Sequence, residues 1–198
     1  MTQDEGPATH KDLPVMRFGS VADFGAWLAE HHDVSTGAWL KLAKKGVEPR
    51  TVSYSEAVDI ALCYGWIDSQ AARWDERHYL QRFTPRKSRS VWSKVNREKI
   101  EKLLADGRVR PAGMRQVEAA KADGRWDAAY DPQSAATVPE DLQTALDANP
   151  KASEFFDTLT RQNRFAVIYR VHNAKRPETR ARRIEQFVAM LAERKKIY

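Results

Sequence analysis

Basic and hydroxyl side chains are concentrated between residues 82 and 96, where they could together bind an anion. Three arginines stand close together in this stretch: Arg82, Arg86 and Arg89. Ser90 and Ser93 follow, and Ser90 is predicted to cap a helix whose first amide groups have no partner within the helix. Guanidinium groups, hydroxyls and a helix N-terminus together form a site for phosphate or carboxylate.

Four further side chains complete the predicted ligand site: Trp66, Thr84, Trp92 and Asn96. Asn96 lies on or beside the buried stripe of its helix, where a polar group needs a hydrogen-bond partner. Tryptophans interleaved with arginines can stack nucleobases, but they are also typical of the core of a small, half-covered sheet. A purely structural role therefore stays open, with Ser90 as a simple cap and the arginines in solvent.

Asp68 is the predicted candidate for catalysis. It lies just past a helix, early in a strand that should face the strand carrying Arg82. Its carboxylate could pair with that arginine or, if desolvated, act as a general base. Cys63 lies in mid-helix without a basic neighbour in sequence, which favours a small buried side chain over a nucleophile.

The sequence predicts neither a metal ion nor a cofactor. His31 and His32 are adjacent and point in different directions on a helix, unlike ligands spaced by four residues. His78 follows Asp75 and Glu76, which are better explained as a polar turn. No phosphate-binding glycine loop, dinucleotide fingerprint or nucleophile elbow is present, which argues against common ATPases, dehydrogenases and hydrolases.

Composition describes an ordinary globular protein of 198 residues with a net charge of +6. A single cysteine, together with a polar N-terminus that has no apolar signal core, predicts a cytoplasmic protein without a membrane span. Residues 82–115 and 161–198 each carry a net charge of +8, and residues 116–160 between them carry −6. Either the basic blocks bind an anionic partner, or they dock on the acidic one.

Helix caps and apolar periodicity predict the elements that position these residues. Ser20 and Ser53 begin helices, the latter as a capping box with Glu56, and a second capping box is expected from Thr137 to Glu140. Strands are expected at 15–18, 38–44, 66–74 and 78–84. The fold class is α+β: a small antiparallel sheet with packed helices, followed by an all-α domain. The expected division is a disordered tail (1–13), an α+β domain (14–130), a linker (131–136) and a C-terminal helical domain (137–198).

Five strings of residues resemble the bacterial bacteriocin-protection family, also described as YdeI/OmpD-associated (OmdA-type). They are Tyr54–Ala57, Cys63–Asp68, Arg82–Arg86, Ser90–Ser93 with Asn96, and Ala174–Arg180. The resemblance extends from Arg17 to Lys196, although Ser69 stands where the family commonly has glycine. It implies a role in tolerance of bacteriocins or antimicrobial peptides and carries no established reaction.

Three functional hypotheses follow. In the first, the protein binds an anionic ligand, either a phosphorylated metabolite or a nucleic acid. In the second, the same pocket is that of an enzyme with Asp68 as its general base and with arginines stabilising developing negative charge. In the third, the C-terminal helices dock a protein partner. The sequence does not determine an oligomeric state.

Overall fold

The computed structural model describes residues 8–198 and divides the chain into two compact units. Of the described residues, the N-terminal unit comprises 8–92 together with Asn96–Ala128, and the C-terminal unit comprises Ser93–Val95 and Ala129–Tyr198. Between residues 8 and 198 there are five strands and eight helices. The expected α+β class, with a sheet and helices followed by helices alone, is confirmed.

Strands and helices are numbered separately in chain order. The strands are β1 (Thr9–His10), β2 (Leu13–Met16), β3 (Ala38–Ala43), β4 (Trp66–Arg73) and β5 (His78–Pro85). The helices are α1 (Val21–His31), α2 (Tyr54–Cys63), α3 (Lys94–Ala105), α4 (Pro111–Ala122), α5 (Glu140–Asp147), α6 (Pro150–Thr158), α7 (Arg161–His172) and α8 (Pro177–Ala192).

The N-terminal unit is built on one sheet in the strand order β1-β2-β3-β5-β4. All neighbouring strands are antiparallel except β2 and β3, which are parallel. Because successive side chains of a strand point to opposite faces, the register assigns the paired residues to one face or the other, with a break in β4 between Asp68 and Ala71. Phe83 of β5 touches Phe24 of α1, with ring centroids 5.8 Å apart, so its face is covered by helices. We call this the helical face, and we call the opposite one, which carries Arg82, the arginine face.

Two helix starts are confirmed in atomic detail. The Ser20 hydroxyl accepts from the amide of Asp23, whose carboxylate in turn accepts from the Ser20 amide. Ser53 and Glu56 form the same reciprocal box at the start of α2. Each box satisfies amide groups that the first helical turn leaves without partners.

Two other predicted helix starts are wrong. α3 begins at Lys94 rather than after Ser90, whose hydroxyl instead accepts from the Lys87 amide and closes a turn. α5 begins after Pro139, which lacks a side-chain cap, so Thr137 is not a helix cap. The physical reason at α5 is that Val138 precedes a proline, and the residue before proline is disfavoured in the helical region.

The start of the chain differs from the expected disordered tail as far as it is described. Residues 1–7 lie outside the described residues. Residues 9–10 form β1, which pairs with β2, and β2 spans Leu13–Met16 instead of the expected 15–18. His10 is held in place because its ring packs edge-to-face on Trp39, with centroids 4.7 Å apart.

The C-terminal unit is a set of helices around one apolar core. The buried side chains of this core come from α5 through α8: Leu142, Leu146, Ala152, Phe156, Val167, Ile168, Val171, Ile184 and Leu191. The expected apolar stripe of the last helix, which includes Phe187 and Val188, packs into this core. Arg180 donates from two nitrogens to the Asp141 carboxylate and from a third to the carbonyl oxygen of Val171.

The ion pair of Asp141 predicts a pH dependence of stability. The hydrogen bond from Arg180 holds the pKa of the Asp141 carboxyl below its usual value. Because the folded pKa is lowered, the pair stabilises the fold above the unfolded pKa of about 3.9, and this contribution is lost as pH falls through the folded pKa. We expect Asp141→Asn to cost up to about 1 kcal/mol at pH 7, since both side chains are partly exposed.

The measurement is thermal unfolding by far-UV circular dichroism between pH 7 and pH 2.5, with Asp157→Asn as the control. Asp157 pairs with Arg164 but is 74% exposed, so its replacement should change little. The difference between wild type and Asp141→Asn should shrink on acidification. If the difference in stability between wild type and Asp141→Asn grew as pH fell, this would contradict the lowered pKa of Asp141 in the folded protein.

Candidate functional site

The strand register separates the residues of the predicted site. Asp68 pairs with Phe83, and Trp66 is two residues from Asp68, so both lie on the helical face. Arg82 pairs with Trp39 on the arginine face, as does Thr84 with Ile67. The structure therefore brings together Arg82 with Thr84 and Trp66 with Asp68, but it places the two pairs on opposite sides of the sheet.

Asp68 has a different partner from the arginine considered in the sequence. The hydroxyl of Tyr54, at the start of α2, donates to its carboxylate at 2.7 Å. Trp66, on the same face, donates from its indole nitrogen to the His32 carbonyl at 3.0 Å and packs edge-to-face on Trp27. No ion pair joins Asp68 to a basic side chain within residues 8–198.

Arg86 and Trp92 form a buried stack in the N-terminal unit. The guanidinium carbon of Arg86 lies 3.6 Å from the ring centroid of Trp92, and only 5% of the arginine is exposed. One terminal nitrogen of Arg86 donates to the Val91 carbonyl at 3.2 Å. Trp92 packs in turn on Trp126, with ring centroids 5.1 Å apart. This cation–π arrangement holds the chain between β5 and α3 in place.

The remaining predicted residues follow Arg86 and Trp92 along the chain and differ in their surroundings. Arg89 is exposed, and the Ser90 carbonyl accepts from Arg125 at 2.9 Å. Ser93 directly precedes α3, belongs to the C-terminal unit and forms a parallel bridge with Tyr130. Asn96 is half-buried in the first turn of α3.

Cys63 is completely buried at the end of α2. Burial raises the pKa of its thiol, and the nearby cations Arg108 and Arg110 oppose that shift only in part. A thiol kept protonated in this way is not a nucleophile at neutral pH, so the predicted role as a small core side chain fits its surroundings.

On the arginine face, Arg82 is grouped with three nitrogen-bearing side chains that the sequence analysis did not single out. We call His10, Lys11, Trp39 and Arg82 the arginine-face cluster. His10 packs on Trp39, Lys11 lies with its ammonium nitrogen 6.0 Å from the Trp39 ring centroid, and Arg82 is the cross-strand neighbour of Trp39. Thr84 lies two residues further along β5, over Gly37.

Three nitrogens of this cluster are buried without a hydrogen-bond partner among the described residues. They are Nε2 of His10, Nε1 of Trp39 and Nε of Arg82. The terminal guanidinium nitrogens of Arg82 also have no acceptor in residues 8–198, but they are not among the buried atoms. A buried donor without an acceptor costs about 1–3 kcal/mol, which makes the cluster a candidate for ligand binding. The cluster was not predicted because Lys11, which contacts Trp39, lies in a segment that the sequence analysis expected to be disordered.

The described residues contain no obvious metal site and no membrane-spanning helix. No group of three or more histidine, cysteine, aspartate or glutamate side chains within residues 8–198 could hold a metal ion. His78 is instead bonded to Asp75, which also accepts from the amides of Arg77 and His78. Partial burial opposes ionisation of Asp75, but these bonds outweigh it and hold the pKa of its carboxyl well below its usual value. None of the helices between residues 8 and 198 is both long and apolar enough to span a bilayer.

Two protein-family models match different parts of the chain. Residues 16–116, half of the protein, match a family model described as a domain of unknown function (DUF8412). The chain belongs to the DUF8412 family. No curated protein and no solved structure matches it.

A second family model covers the C-terminal part of this DUF8412 protein. Residues 135–194 match the family described as bacteriocin-protection, YdeI or OmpD-associated, which confirms the resemblance stated from the sequence. Of the five strings that carried the resemblance, only Ala174–Arg180 lies within this match. The other four lie within residues 16–116, and so does most of the sheet with Trp39 and Arg82.

Proposed function

We propose that the protein binds a phosphate- or carboxylate-bearing ligand at the arginine-face cluster. The observation that carries this proposal is the state of Arg82: its Nε is buried, and its terminal nitrogens face no acceptor within residues 8–198. The guanidinium fork presents parallel N–H donors to a carboxylate or phosphate, and it keeps its charge at every physiological pH.

The neighbours of Arg82 supply the rest of such a site. Lys11 adds a second positive charge beside Trp39, and the indole N–H of Trp39 can only donate a hydrogen bond. His10 can donate from Nε2 when its ring takes that tautomer. An anion with several acceptor oxygens would accept from the terminal nitrogens of Arg82, which are not among the buried atoms, and its charge would be attracted by Lys11 as well. Thr84 contributes a hydroxyl at the edge of the cluster.

The biological setting of the proposal rests on the C-terminal family match. That family is described by bacteriocin protection, and a cytoplasmic anion-binding protein could serve tolerance of bacteriocins or antimicrobial peptides by sensing a phosphorylated metabolite. The enzyme hypothesis gains less support. It needs Asp68 and Arg82 in one pocket, and the register places them on opposite faces of the sheet.

The expected result of Arg82→Gln is a loss of anion affinity by about 10- to 100-fold, because the variant removes a charged donor pair. The assay is a thermal-shift screen at low salt with inorganic phosphate, nucleotides, sugar phosphates, carboxylic acids and short DNA. A ligand at a hundred times its dissociation constant should stabilise the N-terminal unit by about 2.7 kcal/mol.

Arg89→Gln is the matched control. It makes the same substitution at an exposed arginine outside the cluster, so it should leave the shift unchanged. Loss of binding in Arg89→Gln but not in Arg82→Gln would move the site to the turn after β5. If only DNA raises the unfolding temperature, and the effect vanishes at high salt, the ligand is a nucleic acid rather than a small molecule.

A further inference from the structure

The C-terminal unit contains a cavity of about 250 Å³ that has no role in the proposed function. Three aromatic rings line it: Tyr130, Phe165 and Tyr169. Tyr130 lies edge-to-face on Tyr169 with centroids 4.8 Å apart, and Phe165 lies 5.7 Å from Tyr169. The remaining apolar wall is formed by Ala136, Pro139 and Ile168. Rings that are tilted relative to one another can receive a further ring by its edge or its face.

The charged groups on the wall are already neutralised. Asp131 pairs with the ammonium group of Lys94 at 2.7 Å, and Arg180 is bonded to the carboxylate of Asp141. Burial raises the pKa of the Tyr169 phenol, so this hydroxyl also stays neutral. The cavity therefore offers no uncompensated charge to an ion, and transfer of an ion from water into it would be unfavourable.

One polar group of the wall lacks a partner. The imidazole of His172 makes no hydrogen bond to any residue from 8 to 198, and its Nε2 is buried. A neutral imidazole has one donor and one acceptor nitrogen, so it can bond an N–H or an O–H group of a ligand. His172 follows Tyr169 by three residues on α7, which places the polar group beside the aromatic wall.

We propose that this cavity binds a small, neutral aromatic compound with one hydrogen-bonding N–H or O–H group, of the indole or phenol class. The aromatic wall receives the ring and His172 receives the polar group. The cavity volume of about 250 Å³ is large enough for such a compound, since a dry cavity of about 150 Å³ suffices for benzene. The site lies entirely within the unit that contains the bacteriocin-protection family match, and it does not depend on anion binding by the sheet.

The test is saturation-transfer-difference NMR of the full chain with five ring compounds: indole, phenol, toluene, benzylamine and benzoate. Indole and phenol should bind, and they should perturb the amide signals of residues 165–172 in a ¹H–¹⁵N spectrum. Toluene, which lacks the polar group, should bind about three- to tenfold more weakly than phenol. Preference for benzylamine or benzoate over indole would overturn the proposal of a neutral ligand.

Ala136→Leu tests the location, because it fills the cavity without removing any wall atom. It should weaken indole binding at least about tenfold. Ala145→Leu is the matched control, since Ala145 is a partly buried alanine of the same unit that does not line this cavity. If Ala136→Leu does not fold, Ala136→Val serves in its place. Equal binding by both leucine variants, or no binding of indole by the wild type at about 1 mM, would overturn the proposal.

Discussion

Gly65→Ala is expected to lower the free energy of unfolding of the N-terminal unit by about 2–5 kcal/mol. Gly65 follows α2 with a φ of +74°, a conformation that costs an L-residue about 1–2 kcal/mol. A Cβ at this position would also lie 2.8 Å from the carbonyl oxygen of Ala112 at the start of α4. That oxygen belongs to backbone, so overpacking adds about 1–3 kcal/mol.

The close approach between α2 and α4 is reciprocal, which is why it cannot relax easily. A Cβ on Gly113 would lie 2.4 Å from the Cys63 carbonyl oxygen, and that oxygen accepts from the Arg110 amide at 3.0 Å. Two glycines thus let the end of one helix meet the start of the other.

Gly107→Ala is the matched control for the conformational cost alone. Its φ is +65°, but nothing lies within 4 Å of an added Cβ. Urea unfolding followed by tryptophan fluorescence is the measurement, because all six tryptophans lie in the N-terminal unit. Gly107→Ala should cost only about 1–2 kcal/mol. If Gly65→Ala and Gly107→Ala lowered the free energy of unfolding equally, the contact with Ala112 would contribute nothing to the cost at Gly65.

Trp92→Ala is expected to cost the N-terminal unit about 3–5 kcal/mol. Trp92 is 1% exposed and lies between the Arg86 guanidinium and the Trp126 ring. Its removal leaves a cavity and takes the aromatic face away from a buried cation, so both the apolar and the cation–π contributions are lost.

Trp74→Ala makes the same substitution at a tryptophan that is 38% exposed and contacts the Lys41 ammonium group. It should cost no more than about 1 kcal/mol. Chemical unfolding followed by the fluorescence of the remaining tryptophans compares the two variants. A loss below about 1 kcal/mol in Trp92→Ala would contradict the assignment of the stack as a structural centre.

Local signals in the sequence predicted much of the fold. The caps at Ser20 and Ser53 need only residues three positions apart, and Gly65 ends α2 as expected. The long strands β4 and β5, with a polar turn between them, follow from short-range alternation and from Asp75.

The wrong prediction of a helix start at Ser90 shows that local sequence patterns do not include contacts made by residues outside the helix. The carbonyl oxygen of Ser90 is occupied by Arg125, and that of Val91 by Arg86. The amide of Lys94 donates to the Tyr130 carbonyl instead of to a residue of its own helix. Groups outside the predicted helix have therefore taken the backbone partners that an earlier helix start would need.

The candidate site depends on register, which the sequence alone does not fix. Arg82 and Asp68 look like neighbours because a short turn joins β4 and β5, but a shift of one residue in register exchanges the two faces. The pairing of Asp68 with Phe83 puts the carboxylate on the helical face. The sequence pattern marks Trp39 only as a strand residue, and His10 lies in the segment expected to be disordered.

The most direct test of anion binding at the arginine face is the indole N–H signal of Trp39. The six tryptophans give six such signals in a ¹H–¹⁵N spectrum, and Trp39→Phe assigns the one required. Titration with the anion that gives the largest thermal shift should move the Trp39 signal progressively, and Arg82→Gln should abolish the movement while Arg89→Gln leaves it intact. A Trp39 signal that stays in place while the protein is saturated would contradict the account.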